Sequence, residues 1–64
     1  MPEKWTGKIV GRMHVEDITL DELGKEMGIT KAYISMILHG ARKPANVEQR
    51  MKEALDNITK RRST

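Results

Sequence analysis

Apolar residues recur every three or four positions along most of the chain, and no alternation with a period of two lasts long enough to predict a strand. The spacing predicts four helices, the first somewhere within residues 3–15 and the others over about 19–27, 30–39 and 46–58. Helices of these lengths do not persist alone in water, so their apolar stripes must bury against one another. The sequence therefore predicts an all-α fold, a small bundle of four helices with a short fifth as an alternative.

Helix-capping residues support three of these boundaries. Thr19 and Glu22 form a T-x-x-E capping box, in which each side chain accepts a hydrogen bond from the other residue's backbone amide. Thr30 is predicted as the N-cap of the third helix, and Asn46 with Gln49 as a weaker capping box at the start of the fourth. The starts of the second and third helices are therefore the best-defined boundaries in the sequence.

The second and third predicted helices are separated only by Gly28 and Ile29. A connection this short needs a left-handed residue after the second helix, and glycine adopts that conformation without a Cβ penalty. A small residue on the second helix, Gly24, also lets the two helices cross closely. Together these features predict a helix-turn-helix, with a plain helical hairpin as the alternative. Seven positions carry the prediction: Leu23, Gly24, Met27, Gly28, Ile29, Ile34 and Ile37.

The composition limits the chemistry that the chain can carry. Its 64 residues suffice for one domain, predicted over 1–59 and followed by a basic disordered tail over 60–64. Because cysteine is absent and the two histidines, His14 and His39, are far apart in sequence, we expect neither a disulfide nor a local metal site. We also expect no cofactor and no enzyme activity, since no nucleophile, base and orienting group come together. With no membrane span and no secretory signal in the sequence, a cytoplasmic location is expected.

The charge distribution is more informative than the net charge of +3. Residues 14–29 contain five acidic and one basic residue, a net charge of −4, whereas residues 30–64 contain eight basic and three acidic residues, a net charge of +5. A polyanion such as nucleic acid is therefore expected to prefer the second half of the chain. A mixed, solvated surface without a binding role is the alternative.

The stretch from Ile18 to Pro44, ITLDELGKEMGITKAYISMILHGARKP, resembles the helix-turn-helix of the Cro and phage-repressor family, also called Xre-type. Its closing GARKP is similar to the glycine, basic and proline loop that follows the recognition helix in that family. The resemblance implies a lambda-repressor-like fold and a phage or prophage origin. Leu20 and Lys31 occupy positions where the family often has glutamine, a departure that concerns base preference and dimer contacts more than fold.

The resemblance also implies that the third helix enters the DNA major groove with its N-terminal half towards the base edges. Its outward residues are then the predicted base contacts: Lys31, Ala32, Ser35 and Met36. Lys31 can donate to guanine, Ser35 can bond to several bases, and the Ala32 methyl can meet a thymine methyl. For Met36 the alternative is a place in the core or at its rim.

Phosphate contacts are expected to supply most of the affinity for DNA. The predicted contacts lie at the two helix caps, on the third helix and in the basic loop after it: Thr19, Thr30, Tyr33, Arg42 and Lys43. For Tyr33 the alternative is half-buried packing, and for the two loop residues it is an ordinary solvated loop.

The leading hypothesis is a transcriptional regulator of Cro or repressor type that binds a double-stranded DNA operator, with a homodimer on a pseudo-palindrome as the expected form. The alternative is a protein-interaction module, an anti-repressor or antitoxin that binds a partner repressor protein or a toxin. In that case the acidic block over 16–26 is the predicted docking face for a basic partner.

Overall fold

Four helices make up most of residues 3–63, the part of the chain that this computed structural model describes. Their bounds are α1 Lys4–Val15, α2 Leu20–Met27, α3 Lys31–Leu38 and α4 Val47–Arg62. Within those residues there is neither a strand nor a fifth helix. The predicted all-α bundle of four helices is confirmed.

The core is aliphatic and draws on all four helices. Leu23 of α2, Ile34 of α3 and Leu55 of α4 are completely excluded from solvent. Removing such a side chain from water contributes about 1.5–3 kcal/mol, which is what holds helices too short to persist alone. The buried hydrophobic residues of the core are Ile9, Met13, Ile18, Leu23, Ile34, Ile37, Leu38, Val47, Met51, Ala54, Leu55 and Ile58.

Two glycines shape the connection between α2 and α3. Gly28 ends α2 in the left-handed region, at φ 75°, as the short connection requires. Gly24 lies against the connection itself: a Cβ added there would be 2.6 Å from the carbonyl oxygen of Ile29. The same pair of residues is joined by a 2.9 Å hydrogen bond from the Ile29 amide to the Gly24 carbonyl. The predicted need for a small residue at this crossing is confirmed.

Both threonine caps form as predicted. The Thr19 hydroxyl accepts from the Glu22 amide at 3.0 Å, while the Glu22 carboxylate accepts from the Thr19 amide at 3.3 Å. The Thr30 hydroxyl accepts from the Tyr33 amide at 3.1 Å. These bonds satisfy amides that have no acceptor inside their own helix.

The predicted cap at Asn46 is wrong. Asn46 precedes α4 in the left-handed region, at φ 56°, and its side chain makes no cap hydrogen bond. A side-chain cap needs an extended N-cap residue, whereas asparagine tolerates the left-handed conformation that this loop adopts. Gln49, the expected partner, instead donates to Glu53 one turn further along.

The predicted end of the last helix, and with it the disordered tail, is also wrong for residues 60–62. α4 continues to Arg62, because that side chain is anchored on the connection between α1 and α2 and on the first turn of α2. Its guanidinium donates to the carbonyl oxygens of Glu16 and Asp17 and to both carboxylate oxygens of Glu22. Residue 64, also assigned to the tail, lies outside the described residues.

Candidate nucleic-acid interface

α3 has one buried face and one exposed face. Ile34 and Ile37 pack into the core, while Lys31, Ala32 and Met36 face solvent. Met36 is 44% exposed, so it lies on the outward face and not in the core. Three of the four predicted base contacts are therefore brought together on an accessible helix surface.

Ser35, the fourth predicted base contact, is only half-exposed and lies beside His39. The Nδ1 atom of His39 is 2.7 Å from the Ser35 carbonyl oxygen and 3.3 Å from the Ser35 hydroxyl. The short distance to a carbonyl oxygen means that Nδ1 carries the proton and donates there. Ser35 is thus less available for a base contact than the three exposed residues.

Tyr33 is half-buried and packs against the edge of the core. Half-buried packing is the alternative that the sequence predicted for Tyr33. An aromatic ring held by packing leaves a phenol hydroxyl at its tip for a polar contact.

The N-termini of α2 and α3 carry amides that suit an anion. Helix geometry leaves the amides of Leu20 and Asp21 without an intrahelical acceptor, and the same holds for Lys31 and Ala32. The hydroxyls of the two capping threonines accept amides of their own helices and keep their own protons to donate, so hydroxyl and backbone donors lie together at these ends. Aligned peptide dipoles add positive potential at such ends.

The loop after α3 places Arg42 and Lys43 at the surface. It begins with Gly40 at φ 85°, and the Ala41 amide donates back to the Met36 carbonyl at 2.8 Å, which closes the helix end. Arg42 makes no ion pair with any residue between 3 and 63, whereas Lys43 pairs with the Glu3 carboxylate. Of the two predicted phosphate contacts in this loop, only Lys43 would therefore have to leave an ion pair within residues 3–63 to bind a phosphate.

The acidic residues of α2 are paired within the molecule. Asp21 pairs with Lys25 at 3.4 Å, Glu22 with Arg62 at 2.7 Å, and Glu26 with Arg61. The hydrogen bond from Arg61 lowers the pKa of the Glu26 carboxyl, so that group stays ionised to more acid pH than usual. The acidic block is therefore not a free negative surface, because basic residues at the end of α4 cover part of it.

An apolar groove of about 350 Å³ runs beside α3. It brings Leu20, at the start of α2, next to Ser35 and His39, so the first turn of α2 lies near the outward side of α3. Val10 on α1 is 49% exposed at this groove. No lining residue is an acid, a lysine or an arginine: they are Val10, Met13, Ile18, Leu20, Ser35, Leu38 and His39.

Glu3 was not predicted as a neighbour of the basic loop, because Glu3 and Lys43 are 40 positions apart and no local spacing connects them. The groove was not predicted either, since its only signal in the sequence is the apolar side chain at Leu20. Residues 3–63 contain no group of three or more His, Cys, Asp or Glu placed to hold a metal ion. The same residues include no helix with the length and apolarity needed to cross a bilayer.

Comparison of the chain with family models, with curated proteins and with solved structures finds no match. The resemblance to the Cro and phage-repressor family therefore rests on the residues from Ile18 to Pro44 alone.

Proposed function

We propose that this protein is a sequence-specific, DNA-binding transcriptional regulator of Cro or repressor type, with α3 as the helix that enters the major groove. The observation that supports this most is the division of α3 into a face anchored in the core and an exposed face formed by Lys31, Ala32 and Met36. A short helix can read base edges only if the rest of the domain holds it in place, and here Ile34 and Ile37 anchor α3 in the core beside the close Gly24–Ile29 contact.

Each exposed residue of α3 has a base chemistry that it can recognise. The Lys31 ammonium can donate to guanine O6 and N7, and the Ala32 methyl can contact a thymine methyl. Met36 lies one turn further along the same face, where its flexible side chain can pack on a second apolar base edge. Ser35, held beside His39, is the weakest of the four predicted base contacts.

Phosphate contacts come from two kinds of donor in this proposal. The backbone amides at the starts of α2 and α3 donate hydrogen bonds to phosphate oxygens of the DNA, and the charged side chains of Arg42 and Lys43 attract the phosphates electrostatically. The ion pair between Glu22 and Arg62 removes much of the repulsion that an acidic first turn of α2 would exert on a phosphate.

A dimer fits this function better than a monomer. One DNA-binding module of this size buries only about 600–1,000 Å² of protein surface on DNA, which gives weak and poorly discriminating binding. Two copies on a pseudo-palindrome, with half-sites one helical turn apart, would restore both affinity and specificity. A bacterial cytoplasm that holds phage or prophage DNA is the setting that this proposal implies.

The alternative, an anti-repressor or antitoxin that docks a basic protein on the acidic block, receives less support. The carboxylates of Glu22 and Glu26 already bind arginines of α4, so a basic partner would have to displace those residues. DNA, by contrast, needs no such exchange at Arg42 or on the exposed face of α3.

A salt titration against duplex DNA tests the proposal. We expect the logarithm of the association constant to fall linearly with the logarithm of salt concentration, with a slope of about −0.9 for each phosphate contact. Arg42→Ala should weaken binding to all duplexes alike and make the slope shallower by about 0.9. Fluorescence anisotropy of a labelled duplex gives both quantities.

Lys52→Ala is the matched control, because it also removes one cation but lies on α4 in an ion pair with Glu48. Its slope should stay at the wild-type value. Absence of binding at low salt, or equal effects of the two substitutions, would contradict the proposed function.

A further inference from the structure

Glu3 joins the start of α1 to the basic loop after α3. One oxygen of its carboxylate accepts from the Trp5 indole nitrogen at 3.0 Å, and the other accepts from the Lys43 ammonium. The three residues line a small cleft together with Arg42. The carboxylate is thus fixed at one oxygen by a rigid aromatic side chain while the other oxygen holds the lysine.

We propose that Glu3 occupies the place of a DNA phosphate on Lys43 in the free protein and competes with the phosphate backbone when the protein binds DNA. The inference rests on the proposed function, and it assigns to Glu3 the role of an intramolecular competitor that sets affinity. Carboxylate and phosphate oxygens are both anionic acceptors for an ammonium group, so one can stand where the other binds.

Competition follows from charge as well as from occupancy. A phosphate that approached Lys43 would also approach the Glu3 carboxylate, and two anions so close repel each other. The hydrogen bond from Lys43 lowers the pKa of the Glu3 carboxyl, so the carboxylate remains charged throughout the neutral range. DNA binding must therefore break the ion pair and move the Glu3 side chain away.

Glu3→Gln separates this role from a structural one. Glutamine keeps an oxygen that can accept from Trp5, but it has no charge to hold Lys43 or to repel a phosphate. Because an exposed ion pair of this kind is a weak interaction, we expect Glu3→Gln to bind duplex DNA about two- to fivefold more tightly than wild type at low salt. The advantage should shrink as salt rises, because salt screens an exposed pair.

Glu48→Gln is the control for the change in net charge. Glu48 also pairs with a lysine, and its side chain is 47% exposed against 49% for Glu3. Both variants gain one unit of positive charge, so only the position of the lost carboxylate differs. Thermal unfolding followed by circular dichroism reports whether each variant is folded.

Fluorescence anisotropy titrations test whether Glu3 competes with DNA at Lys43. They compare five proteins: the wild type, Glu3→Gln, Glu48→Gln, and each of these two substitutions combined with Lys43→Gln. The inference predicts a gain for Glu3→Gln that exceeds the gain for Glu48→Gln and that is lost when Lys43 is absent. Equal gains for the two glutamate variants, or a Glu3→Gln gain that survives without Lys43, would overturn the inference while the proposed function stands. Absence of DNA binding by the wild type and by every variant at low salt would overturn both.

Discussion

At the residue scale, Gly24 decides how closely α2 and α3 approach. Its missing side chain leaves room for the Ile29 carbonyl, which a Cβ would meet at 2.6 Å. A backbone oxygen cannot move aside as the end of a flexible side chain can. Gly7 and Gly11 on α1 are different, because an added Cβ at either position would have no neighbour within 4 Å.

Gly24→Ala should therefore lower the free energy of unfolding, although alanine is the better helix former. The clash costs about 1–3 kcal/mol, against a gain of about 1 kcal/mol in helix propensity. Gly11→Ala provides the control, since it brings the same propensity gain without a clash and should raise stability. Urea denaturation measures both, and a Gly24→Ala protein as stable as Gly11→Ala would show that the α2–α3 crossing is looser than described.

Local sequence patterns predicted the residues whose roles depend on near neighbours. Gly24, Gly28 and the two capping threonines act within a few positions of their partners, so spacing and backbone sterics suffice to identify them. The partner of Lys43 could not be found that way. Its ion pair with Glu3 exists only because the fold brings the start of α1 to the loop after α3.

At the element scale, the predicted helix boundaries agree with the structure where local capping sets them. They differ from the structure where tertiary contacts extend a helix. The predicted starts of α2 and α3 agree with the structure because Thr19 and Thr30 form side-chain caps. The end of α4 differs because its last residues are polar, and polarity alone resembles a frayed tail. The guanidinium of Arg62 keeps the last turn helical through bonds to residues about 40 positions earlier.

Arg62→Gln should fray the last turn of α4 and lower the free energy of unfolding by about 1 kcal/mol. The figure is below the usual range of about 1.5–3 kcal/mol for hydrogen bonds to charged groups, because the Arg62 side chain is 42% exposed and solvent screens its ion pair. Amide hydrogen exchange should speed up in that turn and at the Thr19 cap, whose carboxylate partner Arg62 holds. Lys60→Gln removes a charge from the same turn and should change neither; equal effects of the two variants would mean that Arg62 contributes only net charge.

At the scale of the whole molecule, ion pairs divide the basic residues into a paired and an available group. Arg61 and Arg62 bind the acidic residues of α2, whereas Lys31 and Arg42 lie at or near the exposed face of α3 without an ion pair among residues 3–63. The positive end of the sequence is thus not a uniform basic surface. Lys31 and Arg42 supply available charge at the proposed DNA contact around α3, while Arg50 and Lys60 on α4 also make no ion pair within residues 3–63.

The fold class followed from hydrophobic spacing, since a 3.6-residue period can be satisfied only by helices that bury one face. The candidate site followed in part. Periodicity identifies the outward residues of α3, and the structure places Lys31, Ala32 and Met36 there. Periodicity could not show that Ser35 is held beside His39 or that an apolar groove adjoins Ser35, because both depend on how α1, α2 and α3 pack.

The central claim is that the exposed face of α3 reads base sequence, and a selection of bound sites from random DNA duplexes tests it most directly. The wild-type protein should enrich a pseudo-palindrome with half-sites about one helical turn apart. The Lys31→Ala variant should still bind but should lose its preference at one position of each half-site. A wild-type selection without any enriched sequence, or the same enriched sequence from Lys31→Ala, would contradict the claim.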